Sequence, residues 1–140
     1  AIRSGVVGLV DDDAGDQAAF TAIQELFAPV GEVIVLPESQ FGALTAVSGV
    51  GPAYAALVAE AQIDAAVRAG IPEPVAKRLV GAAMAGGAAM LRAQDMDTLG
   101  VRRAVTSPGG VTARGLAALE AGGLRAAFDD AMDAVLEAGA

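Results

Sequence analysis

Thr106-Ser107-Pro108-Gly109-Gly110-Val111-Thr112 runs directly into Ala113-Arg114-Gly115-Leu116-Ala117-Ala118-Leu119-Glu120, a tight loop followed by a stretch with helical character. One Pro and two Gly before a helix let the backbone bend sharply and leave N–H groups without side chains in front of them. Two readings of this stretch stand side by side. In one, orphan amides and the helix dipole hold a carboxylate or phosphate. In the other, the loop is an ordinary connection between helices, with Ser107 or Thr112 as the N-cap.

Composition narrows what surrounds the loop. The chain has 140 residues, enough for one compact domain or a small domain plus a fragment. Hydrophobic residues reach 54% while aromatics are only 4%, and there are 18 Gly. An interior of that make-up is built from closely approaching helices rather than large side chains. The net charge of −8 argues against a nucleic-acid partner, which needs clustered Lys and Arg. No basic amphipathic segment offers itself to an anionic membrane surface.

Cys is absent, which removes disulfides and thiol chemistry and fits a reducing compartment. His is absent as well, which excludes Ser–His and Cys–His nucleophile pairs and the usual zinc sites. No metal site is expected. The start shows no basic cap, apolar run and cleavage site, so no secretory signal is expected either. The uncharged stretch from Ser39 to Ala59 approaches the length that spans a bilayer. Ser48-Gly49-Val50-Gly51-Pro52 at its centre predicts a broken helix and two buried soluble segments instead.

At the front, Gly5 to Val10 is a short apolar, β-branched run, and Asp11-Asp12-Asp13-Ala14-Gly15-Asp16 is its exit turn. The acidic cluster lacks the Gly and distal Glu of an EF-hand loop and reads as carboxylates at the start of the next helix. Phe20, Ile23, Leu26 and Phe27 place that helix over 17–28, stopped by Pro29 and Gly31. Glu32 to Leu36 forms a second strand. This β–α–β unit leaves a sheet face and both edges uncovered, so it reads as the tail of a larger α/β domain or needs a partner.

Beyond Pro37 the pattern is helical. The spacing predicts helices over 39–47, over 52–69 with Pro52 in its first turn and Gly70 past its end, and over 75–92 behind Pro72 and Pro74. On the second of these, Tyr54, Leu57, Val58, Ala61 and Ala65 form one apolar stripe, and Ile63 and Val67 lie off it. Glu60, Asp64 and Arg68 read as a solvated edge. Gly81, Ala85, Ala83 and Gly87 lie four apart in pairs and predict a close helix crossing. A short helical connection over 95–104 leads to the loop. Two helices then follow, over 112–120 and 124–137, separated by Ala121-Gly122-Gly123.

Ser48-Gly49-Val50-Gly51-Pro52-Ala53-Tyr54 and Val105 to Thr112, in that order, resemble two motifs of the pyrroline-5-carboxylate reductase family. Gly115-Leu116 through Leu119-Glu120-Ala121-Gly122-Gly123-Leu124-Arg125-Ala126-Ala127 is similar to that family's tail. The resemblance covers nearly the whole chain, and Thr106 to Gly110 followed by Thr112 is its most specific part. It implies a mainly α fold: residues 1–38 would end a dinucleotide-binding Rossmann domain, and 39–140 would form an all-helical dimerisation and substrate-binding domain.

The implied activity is NAD(P)H-dependent reduction of 1-pyrroline-5-carboxylate to L-proline, the last step of proline synthesis, in the cytoplasm. Subunits would pair as homodimers, often assembled into a decamer. Ser107, Gly109, Gly110 and Val111 would hold the carboxylate of the imino-acid substrate, and Thr112 would align its ring nitrogen as the catalytic group. Asp95 stands where relatives often carry an acidic residue near the site.

The sequence departs from the family pattern at three positions: Val50 replaces the usual Ser, Val111 a Thr or Ala, and Arg103 an acidic residue. No Gly-x-Gly-x-x-Gly follows a strand, so NADPH or NADH would be bound mainly by a domain absent from this chain, which alone would be inactive. The alternative is a stand-alone helical oligomerisation module without catalysis.

Overall fold

The computed structural model describes residues 5–10 and 15–139. The expected acidic turn at Asp11, Asp12 and Asp13 lies outside these. By its internal contacts the chain divides into two units, one from the described part of Ala1–Pro52 with Asp130–Ala140, the other Ala53–Asp129.

In the first unit, β1 (Gly5–Val10) and β2 (Gly31–Leu36) pair in parallel, Gly5 opposite Gly31 through Val10 opposite Leu36. Helix α1 (Gln17–Phe27) is the crossover, followed by one 3₁₀ turn at Ala28–Val30. Asp16 starts α1 as its N-cap, its Oδ1 accepting from the amides of Ala18 (2.9 Å) and Ala19 (3.3 Å). The strand glycines are steric: a Cβ on Gly31 would overlap the Gly5 backbone, and one on Gly8 would overlap Leu44 beside the Phe41 ring. The sheet therefore rests against the short helix α2 (Phe41–Leu44). Gly42 in turn faces Leu136 from the last helix.

The predicted break at Ser48–Pro52 is not there. A 3₁₀ turn at Glu38–Gln40, α2, and a π-helical turn at Thr45–Gly49 lead into α3 (Gly51–Arg68), so the chain stays helical from Glu38 to Arg68. The widened turn explains how. Val50 N–H reaches the Thr45 carbonyl (3.3 Å), the i to i−5 pattern of a π-bulge, which absorbs the residue whose carbonyl a proline ring would strike. The hydroxyls of Thr45 and Ser48 bond back to the carbonyls of Phe41 (3.0 Å) and Leu44 (2.8 Å). Length and composition (mean hydropathy 1.5 in its apolar window) would let this segment cross a bilayer. A broken helix is thus no ground against a membrane.

In the second unit, α3 closes at Gly70, whose φ of +95° suits a residue without Cβ. Gly70 N–H bonds the Val67 carbonyl and Ile71 N–H the Ala66 carbonyl. Helix α4 (Glu73–Ala93) starts behind Pro72, and α5 (Thr98–Ala104) is capped by Asp97, which accepts from Gly100 N–H (2.9 Å). The sequence placed this helix three residues too early. Asp95 and Met96 instead take left-handed conformations, φ +47° and +61°, as Met96 N–H returns to the Leu91 carbonyl (2.8 Å). Helices α6 (Val111–Ala121) and α7 (Leu124–Ala138) complete the chain. Tyr54 on α3 meets Phe128 on α7 edge to face, centroids 6.2 Å apart.

Burial is sparse. Among the described residues only Ala46, Ala76 and Val80 are buried hydrophobics. The inward row of α3 is Tyr54, Val58, Ile63 and Ala66, whereas Leu57, Ala61 and Ala65 of the expected stripe are exposed. Among the described residues the predicted close crossing on α4 finds no partner, since a Cβ on Gly81, Gly86 or Gly87 would touch nothing within 4 Å.

Candidate functional site

Ser107, Pro108, Gly109 and Gly110 form one reverse turn, closed by Gly110 N–H donating to the Ser107 carbonyl (3.0 Å). Pro at the second position and φ of +70° at Gly109 are the signature of a type II turn. Gly109 has open space around it, so backbone conformation alone calls for glycine there. Gly110 is the opposite case: its φ of −70° suits any residue, but a Cβ would collide with the Ser107 hydroxyl. The turn and the lack of a side chain together bring Ser107 against the start of α6.

Gly110 is also the N-cap of α6, and no side chain caps this helix. Neither Ser107 nor Thr112 serves as the cap: Ser107 lies three residues before the cap, and Thr112 is in the first helical turn. Arg114 N–H is the first to close, on the Gly110 carbonyl (3.2 Å). The N–H groups of Val111, Thr112 and Ala113 find no acceptor among the described residues. No acidic residue lies in the first turn, so the positive end of the helix dipole is uncompensated.

Side chains complete the picture. Ser107 is exposed, Thr112 half-buried and Val111 87% exposed. Among the described residues the hydroxyls of Ser107 and Thr112 make no hydrogen bond, and the neighbouring Thr106 hydroxyl is buried without a partner. A helix start with three open amides, two unengaged hydroxyls and no carboxylate is equipped to accept a small anion bearing a second polar atom.

The structure thus gathers Ser107, Gly109, Gly110, Val111 and Thr112 at one turn and the first residues of the helix it starts. Asp95 is not joined to them by any hydrogen bond or ion pair among the described residues. It sits at the end of α4, exposed and left-handed.

The unpartnered Thr106 hydroxyl escaped sequence reasoning, because threonine before a Ser-Pro turn carries no sign of burial. So did a charge cluster across the α6–α7 turn. Glu120 accepts from Arg125 Nε (2.8 Å) and Nη2 (2.8 Å), with Arg102 at 3.9 Å. The Arg125 hydrogen bond, aided by the charges of Arg125 and Arg102, holds the Glu120 carboxyl below its usual range. The five-residue spacing across Gly122 and Gly123 is not a helical pair, so periodicity could not find it. This cluster borders an open cavity of about 520 Å³ among Leu116, Leu119, Leu124 and Phe128. No residue from Ser107 to Thr112 lines it.

At the start of α1 the amides of Ala18 and Ala19 both donate to the Asp16 carboxylate.

Comparison with known proteins identifies the family. The sequence model of the pyrroline-5-carboxylate reductase dimerisation family matches residues 38–140. A pyrroline-5-carboxylate reductase of Mycobacterium tuberculosis is 40% identical, the match covering 95% of this chain and 51% of that protein. The solved structure of a pyrroline-5-carboxylate reductase from Coxiella burnetii superposes with a TM-score of 0.92 at 33% identity, over 97% of this chain and 51% of that one. A Plasmodium falciparum pyrroline carboxylate reductase solved with NADP bound superposes at 0.84 with 28% identity, over 97% and 52%. The chain spans about half the length of the relatives it matches. A mainly helical chain with a two-stranded parallel β–α–β start, matched from Glu38 to its last residue, belongs to the pyrroline-5-carboxylate reductase dimerisation family.

Proposed function

We propose that this chain supplies the dimer-forming and substrate-gripping half of a pyrroline-5-carboxylate reductase, an enzyme that reduces 1-pyrroline-5-carboxylate to L-proline with NAD(P)H. The observation that carries this reading is the uncapped start of α6 behind the Ser107–Gly110 turn. The relatives' names, and the NADP bound to the Plasmodium falciparum protein, support it.

In this reading the substrate carboxylate lies on the amides of Val111, Thr112 and Ala113, with the Ser107 hydroxyl as a further donor. Gly110 N–H is engaged in the turn, so Gly110 contributes by its missing side chain and Gly109 by its left-handed backbone. Thr112 Oγ1 hydrogen-bonds the ring nitrogen, which takes up a proton to give the iminium form that accepts hydride at its C=N carbon and keeps that proton in the product amine. Gripping both ends fixes the face of the C=N carbon, and the gain is in orientation. The hydride comes from NAD(P)H, held mainly by a domain outside this chain. Asp95 stays an outer acidic neighbour of the substrate.

Residues 1–38 are read as the end of the Rossmann domain and 39–140 as the helical dimerisation domain. The assembly is a homodimer that builds towards a decamer, in the cytoplasm. The test is NADPH oxidation by the full-length protein with pyrroline-5-carboxylate: turnover supports the reading, and none with either nicotinamide cofactor leaves only a helical oligomerisation module.

A further inference from the structure

Val111 enters the proposed site only through its amide. Its side chain is nevertheless the most exposed large apolar group among the described residues, at 87% against 70% for Leu26, the next. A single exposed apolar residue is ordinary on a protein surface. This one occupies the first position of α6, where a β-branched apolar group neither favours helix nor complements the dipole. Local stability therefore gives no reason for valine here.

The geometry of a helix start supplies one. Cβ bonds tilt toward the N-terminus of a helix, and at the first position there is no earlier turn for the side chain to lie on. The isopropyl group thus stands beside the space above the open amides of Val111, Thr112 and Ala113. Successive side chains point about 100° apart around the axis, and Thr112 and Ala113 are half-buried where Val111 is not. The helix start has a polar edge at the Thr112 hydroxyl and an apolar edge at Val111. A cyclic imino acid has matching edges. Its carboxylate-bearing carbon has two ring neighbours, the nitrogen and a methylene. With the carboxylate on the amides and the nitrogen at Thr112, that methylene turns away from Thr112, toward the Val111 edge.

We propose that the Val111 side chain is a wall that selects the substrate ring: it packs on the methylene beside the carboxylate-bearing carbon and disfavours ligands hydroxylated there. The inference rests on the substrate-gripping reading above and gives a role to a side chain which that reading leaves idle. A hydroxyl against the wall loses its water and finds no partner in an isopropyl group. Threonine has the shape of valine with a hydroxyl in place of one methyl, so Val111→Thr supplies the partner and keeps the size of the wall.

The test is calorimetric titration of the full-length protein with L-proline, with cis- and trans-3-hydroxy-L-proline, and with trans-4-hydroxy-L-proline, whose hydroxyl lies one carbon farther from the wall. L-Proline should bind about tenfold more tightly than the weaker 3-hydroxy isomer, less than the roughly hundredfold that an enclosed apolar pocket reaches against an added hydroxyl, because Val111 is a single wall. In Val111→Thr that ratio should fall to within about twofold of unity, with the ratio of L-proline to the 4-hydroxy compound as in the parent. Val111→Ala should weaken L-proline itself about threefold through lost methyl contacts. Both variants keep the fold, since the side chain they replace is exposed. A parent without the preference, a ratio unmoved in Val111→Thr, a 4-hydroxy ratio that moves as far, or L-proline binding Val111→Ala as tightly as the parent overturns the wall while the carboxylate reading stands. L-Proline that fails to bind the parent overturns that reading and the wall together.

Discussion

Gly110→Ala tests the geometry of the turn in a way that separates contact from conformation. The Gly110 backbone, φ −70° and ψ 174°, accepts alanine without strain, so any cost comes from the new methyl group. That group would occupy the place of the Ser107 hydroxyl and crowd the Ser107 carbonyl at 3.1 Å. Relief requires Ser107 to leave its rotamer, about 0.5–1.5 kcal/mol, so Gly110→Ala should destabilise the protein by about 1 kcal/mol. Ser107→Ala removes an exposed hydroxyl without a partner and should stay within about 0.5 kcal/mol of the parent.

The double variant should recover at least half of the loss, giving a coupling of roughly 0.5–1 kcal/mol. Gly109→Ala is the control. Its cost is the left-handed φ, about 1–2 kcal/mol, and no atom lies near enough for Ser107→Ala to relieve it. The assay is urea unfolding at one protein concentration, held fixed because association shifts apparent stability. Additivity of Gly110→Ala with Ser107→Ala, or equal rescue of Gly109→Ala, would refute the reasoning.

Three further outcomes follow from the same structure. In the full-length enzyme, Thr112→Ala should lower kcat/KM for pyrroline-5-carboxylate by about 10–100-fold, the loss of one hydrogen bond to a charged group, with Thr112→Ser close to the parent; equal kinetics for all three would remove Thr112 from the site. The Glu120 carboxyl is held below its ordinary value of 4.5 by Arg125 and Arg102, so its stabilisation is complete above that value and lost as pH falls through the lower folded value. Glu120→Gln should therefore flatten the acid limb of a stability profile below pH 4.5 without steepening it near neutrality. Gly31→Ala drives a methyl group into the Gly5 backbone and should cost more than Gly8→Ala, whose obstacles are the movable side chains of Leu44 and Phe41; the reverse order by denaturant titration would contradict the described strand register.

The elements were legible in the sequence where a single local rule governs. β-branched runs gave both strands, Pro29 and Gly31 ended α1, and Gly70 ended α3. The Ser-Gly-Val-Gly-Pro stretch misled because composition does not reveal how a helix can widen by one residue to admit a proline. Which apolar face of α3 turns inward was equally hidden, since Tyr54–Val58–Ile63 and Leu57–Ala61–Ala65 are alternative rows of similar hydrophobicity. The loop was visible as a loop. Its meaning depended on a detail below the reach of spacing: Gly110, rather than a serine or threonine, occupies the cap, leaving three amides open. The Glu120–Arg125 pairing and the buried Thr106 hydroxyl are tertiary facts with no periodic signature.

The central claim is that the start of α6 grips a carboxylate. Amide spectra of the full-length protein during titration with L-proline, and separately with L-prolinamide, test it most directly. The account predicts saturable shifts of the Val111, Thr112 and Ala113 amide resonances with L-proline, and little change with the amide, which lacks the negative charge. Resonances that stay still, or that move equally with both compounds, would contradict it.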